Sequence, residues 1–194
     1  GFYFNNNYAF NLGVGFDDVP HNYGRVWFPC VDNFTDRASY NFHITTDSNK
    51  TAVCNGINTT TDSLPNGDIV YHWELTDEIP TYLASVAVGE YVKYEFTYQG
   101  ISRNIPVSIY VYPGQISAAS GTFQNLDTIL SSFEHHFGAY PWQRVGYVSV
   151  PFNSGAMEHA TNIAIPAAII GGTSYETLIA HELSHHWFGD LFTC

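Results

Sequence analysis

The stretch SYETLIAHELSHHWFGDLFTC, residues 174–194, contains His181, Glu182 and His185 as an H-E-x-x-H. Thr177, Leu178 and Ala180 bring no helix breaker. Ser174 is placed to cap a helix and Gly189 to end one, so the stretch predicts a helix over 174–189. Residues four apart on a helix share a face, so both imidazoles can reach one zinc ion. Glu182 stands beside them as a carboxylate able to take a proton from water on the metal. Zinc lowers the pKa of that water towards neutrality and polarises a peptide carbonyl. A chance match is the competing reading. The helix, inferred from other residues, argues against it.

A hydrolytic zinc site takes three protein ligands and leaves one position open. The extended pattern H-E-x-x-H-x-x-G-x-x-H would need Gly at 188 and His at 191, where the chain has Phe188 and Leu191. Asp190 stands one residue off that register and is not expected to ligate. The third ligand is therefore expected from a second helix, downstream of these residues. His135 and His136 are read as surface or packing residues, and His186 as structural. His21, His43 and His72 fall in a β-rich half with nothing to pair them with the site.

Composition narrows the function classes. The 194 residues carry 6 Lys plus Arg against 18 Asp plus Glu, a formal charge of −12. Phosphate neutralisation needs Lys and Arg, so nucleic acid is not an expected partner, nor is an anionic lipid surface. No apolar run reaches the length of a membrane span. Low Lys and Arg with many Asn, Thr and Tyr lean towards an extracytoplasmic protein. Cys30, Cys54 and Cys194 do not make a disulfide framework, and buried free thiols are the default. Asn33, Asn49 and Asn58 head N-x-S/T sequons.

Upstream of the helix the pattern changes in the middle of the chain. Residues 1–104 read as β-rich. Tyr40, Phe42 and Ile44 alternate as on a half-buried strand, and 68–75, 82–98 and 106–112 are rich in Val, Ile, Tyr and Phe. Turn signals separate them at Asn55-Gly56, Pro65-Asn66-Gly67 and Gln99-Gly100. After Pro113, Phe123, Leu126, Ile129, Leu130 and Phe133 follow helical spacing up to Gly138. Residues 144–150 and 161–169 read as strands, the second interrupted by Pro166. The fold class is α+β, with a mixed second half spanning 105–194.

With GAMEH (155–159) and HELSHHWFGD (181–190) both in view, the chain resembles the aminopeptidase N family of zinc peptidases (gluzincins). Weaker echoes are GFY (1–3), GRVWFPCVD (24–32) and PTYLASVAVGEY (80–91). The resemblance implies that residues 1–104 are the later part of an N-terminal β-sandwich or saddle domain. Residues 105–194 would be the first part of a thermolysin-like catalytic domain, cut at both ends from a longer protein. It implies zinc ligation by His181 and His185, with Glu182 as general base. Glu158 would bind the α-amino group of a peptide substrate, and the backbone of Gly155 and Ala156 would line the peptide by strand addition. The family's third ligand is a glutamate that would fall past Cys194, so these residues alone are expected to be inactive.

Two positions depart from the family pattern. His159 replaces the family Asn, with a change of cleft polarity or a pH-sensitive contact as the possible consequences. Pro20, preceded by Asp17 and Asp18, lies near the register of a second amine anchor. The alternative functions are a gluzincin of other specificity, an endopeptidase or epoxide hydrolase, and a non-catalytic binding module.

Overall fold

The computed structural model describes residues 1–15, 19, 21–153 and 155–192. Among the described residues, three small sheets and three α-helices surround a continuous apolar core. The first sheet is antiparallel, in the order β1 (Phe2–Asn5), β2 (Tyr8–Asn11), β7 (Val86–Gly89), β4 (Thr51–Cys54). The second, also antiparallel, places β6 (Ile69–Pro80) between β3 (Arg37–Thr46) and β5 (Ile57–Ser63). The period-2 reading of β3 holds. Phe42 is buried opposite Trp73, while Asn41, His43 and Thr45 face solvent.

The third sheet carries the later helices. Its order is β11 (Ile163–Pro166), β10 (Val145–Val150), β9 (Asn104–Val111), β8 (Val92–Gln99), with β8 antiparallel and the other pairs parallel. Every residue of β10, a central strand, and of β11, at the edge of the sheet, is buried. β11 ends at Pro166, whose ring cannot donate to a ladder, and a 3-10 turn follows over Ala167–Ile169.

The run 82–98, read from sequence as one strand segment, is divided. Thr81–Leu83 form a 3-10 turn, β7 ends at Gly89, and the Tyr91 N–H donates to the Gly89 carbonyl at 2.9 Å. That tight turn sends β8 into a different sheet from β7. The helical stretch is also divided, into α1 (Ile116–Thr122) and α2 (Leu126–Phe137). The apolar face of α2 was legible, with Leu126 and Leu130 buried, and Gly138 stops it at φ 91°. His135 and His136 are exposed.

Buried polar side chains join the sheets. Arg144, 3% exposed, donates from Nε to the Gly56 carbonyl (2.7 Å) and from Nη2 to the Cys54 carbonyl (2.9 Å). Its guanidinium lies 4.9 Å from the Trp73 ring centre. Gly56 turns at φ 77°, where a Cβ would meet the Glu74 carbonyl oxygen at 1.9 Å. Cys30 and Cys54 are free thiols; Cys54 is buried as expected, Cys30 only partly. Cys194 lies outside the described residues. No helix among the described residues is long and apolar enough to cross a membrane.

Candidate active site

α3 runs from Glu176 to Ser184, a shorter helix than the 174–189 read from sequence. Tyr175 occupies the N-cap, and no side chain caps it, so Ser174 does not play the expected part. The helix ends at His185, and residues 185–187 continue as turns. The His186 N–H bonds to the Leu183 carbonyl and the Trp187 N–H to that of Ser184, three residues back in each case, which tightens the end. Gly189, at φ 133°, falls in the following turn and does not end the helix.

This end still brings the two ligand candidates together. His181 Nε2 and His185 Nε2 stand 3.3 Å apart. Two nitrogens held at about 2.0–2.1 Å by one tetrahedral zinc ion are about 3.3 Å apart, so the pair fits the metal. His185 Nδ1 lies 3.1 Å from the Phe188 carbonyl oxygen. An N–H donated there leaves Nε2 with its lone pair free for a metal. Among the described residues no group of three or more His, Cys, Asp or Glu side chains is arranged to hold a metal.

Glu182, the residue after His181, is 5% exposed. Burial, and then the negative charge of Glu158, push its carboxyl up to about 7.

GAMEH meets the helix from the strand side. Met157 is the residue that joins the sheet, bridging antiparallel to Ala164 of β11, with both hydrogen bonds at 2.9 Å. Gly155 is exposed at φ 74°, a turn conformation, and Ala156 is half-buried beside it. Glu158 is half-buried and, with His185, lines a cleft of about 290 Å³ completed by Val14, Phe34, Tyr82, Phe188 and Gly189. Val14, Phe34 and Tyr82 were not read from the sequence as cleft residues; they lie in a bridge, a turn and a 3-10 turn that the tertiary fold brings to the cleft. Pro20, Asp17 and Asp18, considered for a second amine anchor, lie outside the described residues.

His159 has no exposure, so it does not add polarity to the open cleft. Its Nε2 lies 3.5 Å from Asn11 Nδ2, on the side of the first sheet. Burial pushes its pKa down to about 3. Between that value and about 6.5 the unfolded chain binds the extra proton. Stability is therefore full above about pH 6.5 and falls as pH drops towards 3. His159→Asn is expected to remove about one proton from the slope of unfolding free energy between pH 6 and pH 4.5. Urea unfolding at a series of pH values measures this, and an unchanged slope would refute it.

His186, on the far side of the chain from His185, is fully buried. Its Nδ1 is 2.8 Å from the Tyr140 hydroxyl, and the Trp142 indole N–H donates to its carbonyl at 2.8 Å. Asp190 is also fully buried, 3.7 Å from His186 Nε2, and burial drives its carboxyl well above the usual range. The Arg37 guanidinium donates to the Asp190 carbonyl at 2.7 Å.

Comparison with known proteins covers both halves of the chain. Residues 6–83 match the Peptidase M1 N-terminal domain, and residues 122–194 match the Peptidase family M1 domain. Rat (Rattus norvegicus) aminopeptidase N is 30% identical over 87% of this chain and 19% of its own length. Bovine (Bos taurus) endoplasmic reticulum aminopeptidase 2 is 29% identical over 93% of this chain and 20% of its own. The chain thus spans about a fifth of the length of these curated relatives. The crystal structure of an M1 zinc metallopeptidase from Deinococcus radiodurans superposes with a TM-score of 0.84 at 25% identity, over 100% of this chain and 42% of that one. With N-terminal and catalytic family domains in the expected order, and a fold shared along its whole length, the chain belongs to the M1, or aminopeptidase N, family of zinc metallopeptidases.

Proposed function

We propose that this chain supplies the amine-binding and metal-binding sector of a zinc aminopeptidase that removes N-terminal residues from peptides. The observation that carries the reading is one cleft lined by both Glu158 and His185, with His181 Nε2 3.3 Å from His185 Nε2. His181 and His185 would hold the zinc, with a third ligand from sequence beyond these residues. Zinc, when bound, polarises the scissile carbonyl and acidifies the attacking water.

The rest of the chemistry belongs to the chain. Glu182 takes the proton of the attacking water at its carboxylate and passes it to the leaving nitrogen. Glu158 accepts hydrogen bonds from the substrate's α-ammonium and so fixes which peptide bond reaches the metal. Gly155 and Ala156 offer backbone groups along the peptide. A blocked amine leaves the Glu158 carboxylate without its partner, which is the basis for selecting free N-termini.

The test uses the full-length protein that contains this segment. It is expected to hydrolyse aminoacyl p-nitroanilides, to lose activity to a chelator and to regain it with zinc. His185→Ala is expected to lose both bound zinc and activity. Turnover that survives complete zinc removal would overturn the reading.

A further inference from the structure

We propose that His186 is a positioning residue that sets the distance between the amine-binding carboxylate and the metal-binding histidines. This rests on the aminopeptidase reading of the site. His185 and His186 are neighbours in sequence but point to opposite sides. His185 faces the cleft, and His186 is inserted into the core between the α3 end and the turn that follows Glu158.

The bonds to Thr161 and Tyr140 fit one tautomer, with the Asp190 carboxyl, 3.7 Å from Nε2, also facing the ring. The Thr161 N–H donates to His186 Nε2 at 3.3 Å, so that nitrogen carries the lone pair. The proton then sits on Nδ1, which donates to the Tyr140 oxygen at 2.8 Å. The Tyr140 hydroxyl passes its own proton to the Arg144 carbonyl at 2.9 Å. A buried chain of donors thus runs from the Glu158 turn, through His186, to the segment ahead of β10.

The turn itself is rigid. Thr161 is one of two non-glycine residues described at positive φ, at 61°, a conformation that survives only where its surroundings impose it. Its Oγ1 accepts the Gly56 N–H at 2.6 Å, and the Asn55 amide donates to the Ala160 carbonyl at 2.6 Å. The Asn162 N–H closes the turn on the His159 carbonyl at 2.9 Å. Glu158 lies three residues before Thr161, with that closed turn between them. His186 is therefore a direct link between the element carrying Glu158 and the element carrying His185. Stretching it changes the amine-to-metal spacing, which is the dimension an aminopeptidase uses to count one residue.

Two conservative variants separate this role from simple core filling. The amide of Gln places its oxygen near the position of Nε2, so His186→Gln keeps the Thr161 bond. The shorter Asn reaches only the position of Nδ1, so His186→Asn keeps Tyr140 and releases Thr161. Both are compared with wild type in the full-length protein. The readouts are amide hydrogen exchange at Thr161, zinc content, and kinetics on an aminoacyl p-nitroanilide and its N-acetyl form. In His186→Asn, Thr161 exchange is expected to be about tenfold faster. KM for the free amine should rise about tenfold, with kcat within about threefold and zinc retained. His186→Gln is expected to stay within about threefold of wild type in every readout.

Unchanged Thr161 exchange in His186→Asn would overturn the proposal. So would equal kinetic losses in both variants, which would mark His186 as core filling. If the wild type itself fails to prefer the free amine, the reading of Glu158 falls and the spacing role falls with it. Normal amine preference with unaltered His186→Asn kinetics removes the spacing role alone.

Discussion

Glu182→Gln, made in the full-length protein that contains this segment, is expected to lose about 10²–10⁴-fold in kcat while keeping its zinc. Gln has nearly the same shape and can still hydrogen-bond, but it cannot take a proton. Glu182 is buried, and burial and then Glu158 raise its carboxyl to about 7. His181 and His185 present their Nε2 atoms to a common point without it. The checks are metal analysis of the purified variant beside its kinetics. If the variant lost its zinc, Glu182 would be a ligand and the assignment of base and ligands would be wrong.

The second large effect is expected at Glu158. Glu158→Ala should weaken transition-state binding of a substrate with a free N-terminus by about 2–5 kcal/mol, the range for truncating one partner of a desolvated charge pair. An exposed ion pair would cost only about 0–1 kcal/mol. The half-buried position of Glu158 in the 290 Å³ cleft places it between these cases in the free protein. A bound peptide would complete its removal from water. The comparison is kcat/KM for a free aminoacyl p-nitroanilide against its N-acetyl form, in wild type and variant. The free amine should lose heavily and the blocked one hardly at all. Equal losses would make Glu158 structural. Efficient wild-type cleavage of the blocked peptide would favour an endopeptidase.

Much of the architecture was legible because its signals are local. The 2-residue period of β3 and the apolar face of α2 follow from side-chain directions within one element. The pairing of His181 with His185 is of the same kind, since four residues of helix bring them together whatever surrounds them. Element ends were less legible. The run 82–98 is rich in strand formers throughout, yet it turns after Gly89 because two sheets compete for it. Ser174 had the chemistry of a cap, but the helix begins a residue too late for it to serve.

By itself the sequence determined the acidic balance, the H-E-x-x-H pattern that sets His181 and His185 one helical turn apart with Glu182 between them, and the order of β-rich and mixed halves. Only the tertiary structure decided which distant residues share the cleft and which way each histidine faces. Val14, Phe34 and Tyr82, from a bridge and two turns far away in the chain, line one cleft with Glu158 and His185, a grouping to which no local spacing corresponds. His159 stands one residue from Glu158, yet its ring is sealed against Asn11, while His186 reaches across to Thr161. The reason is physical. Periodicity tells which face of an element a side chain occupies, but the partner on that face is chosen by the packing of the whole chain.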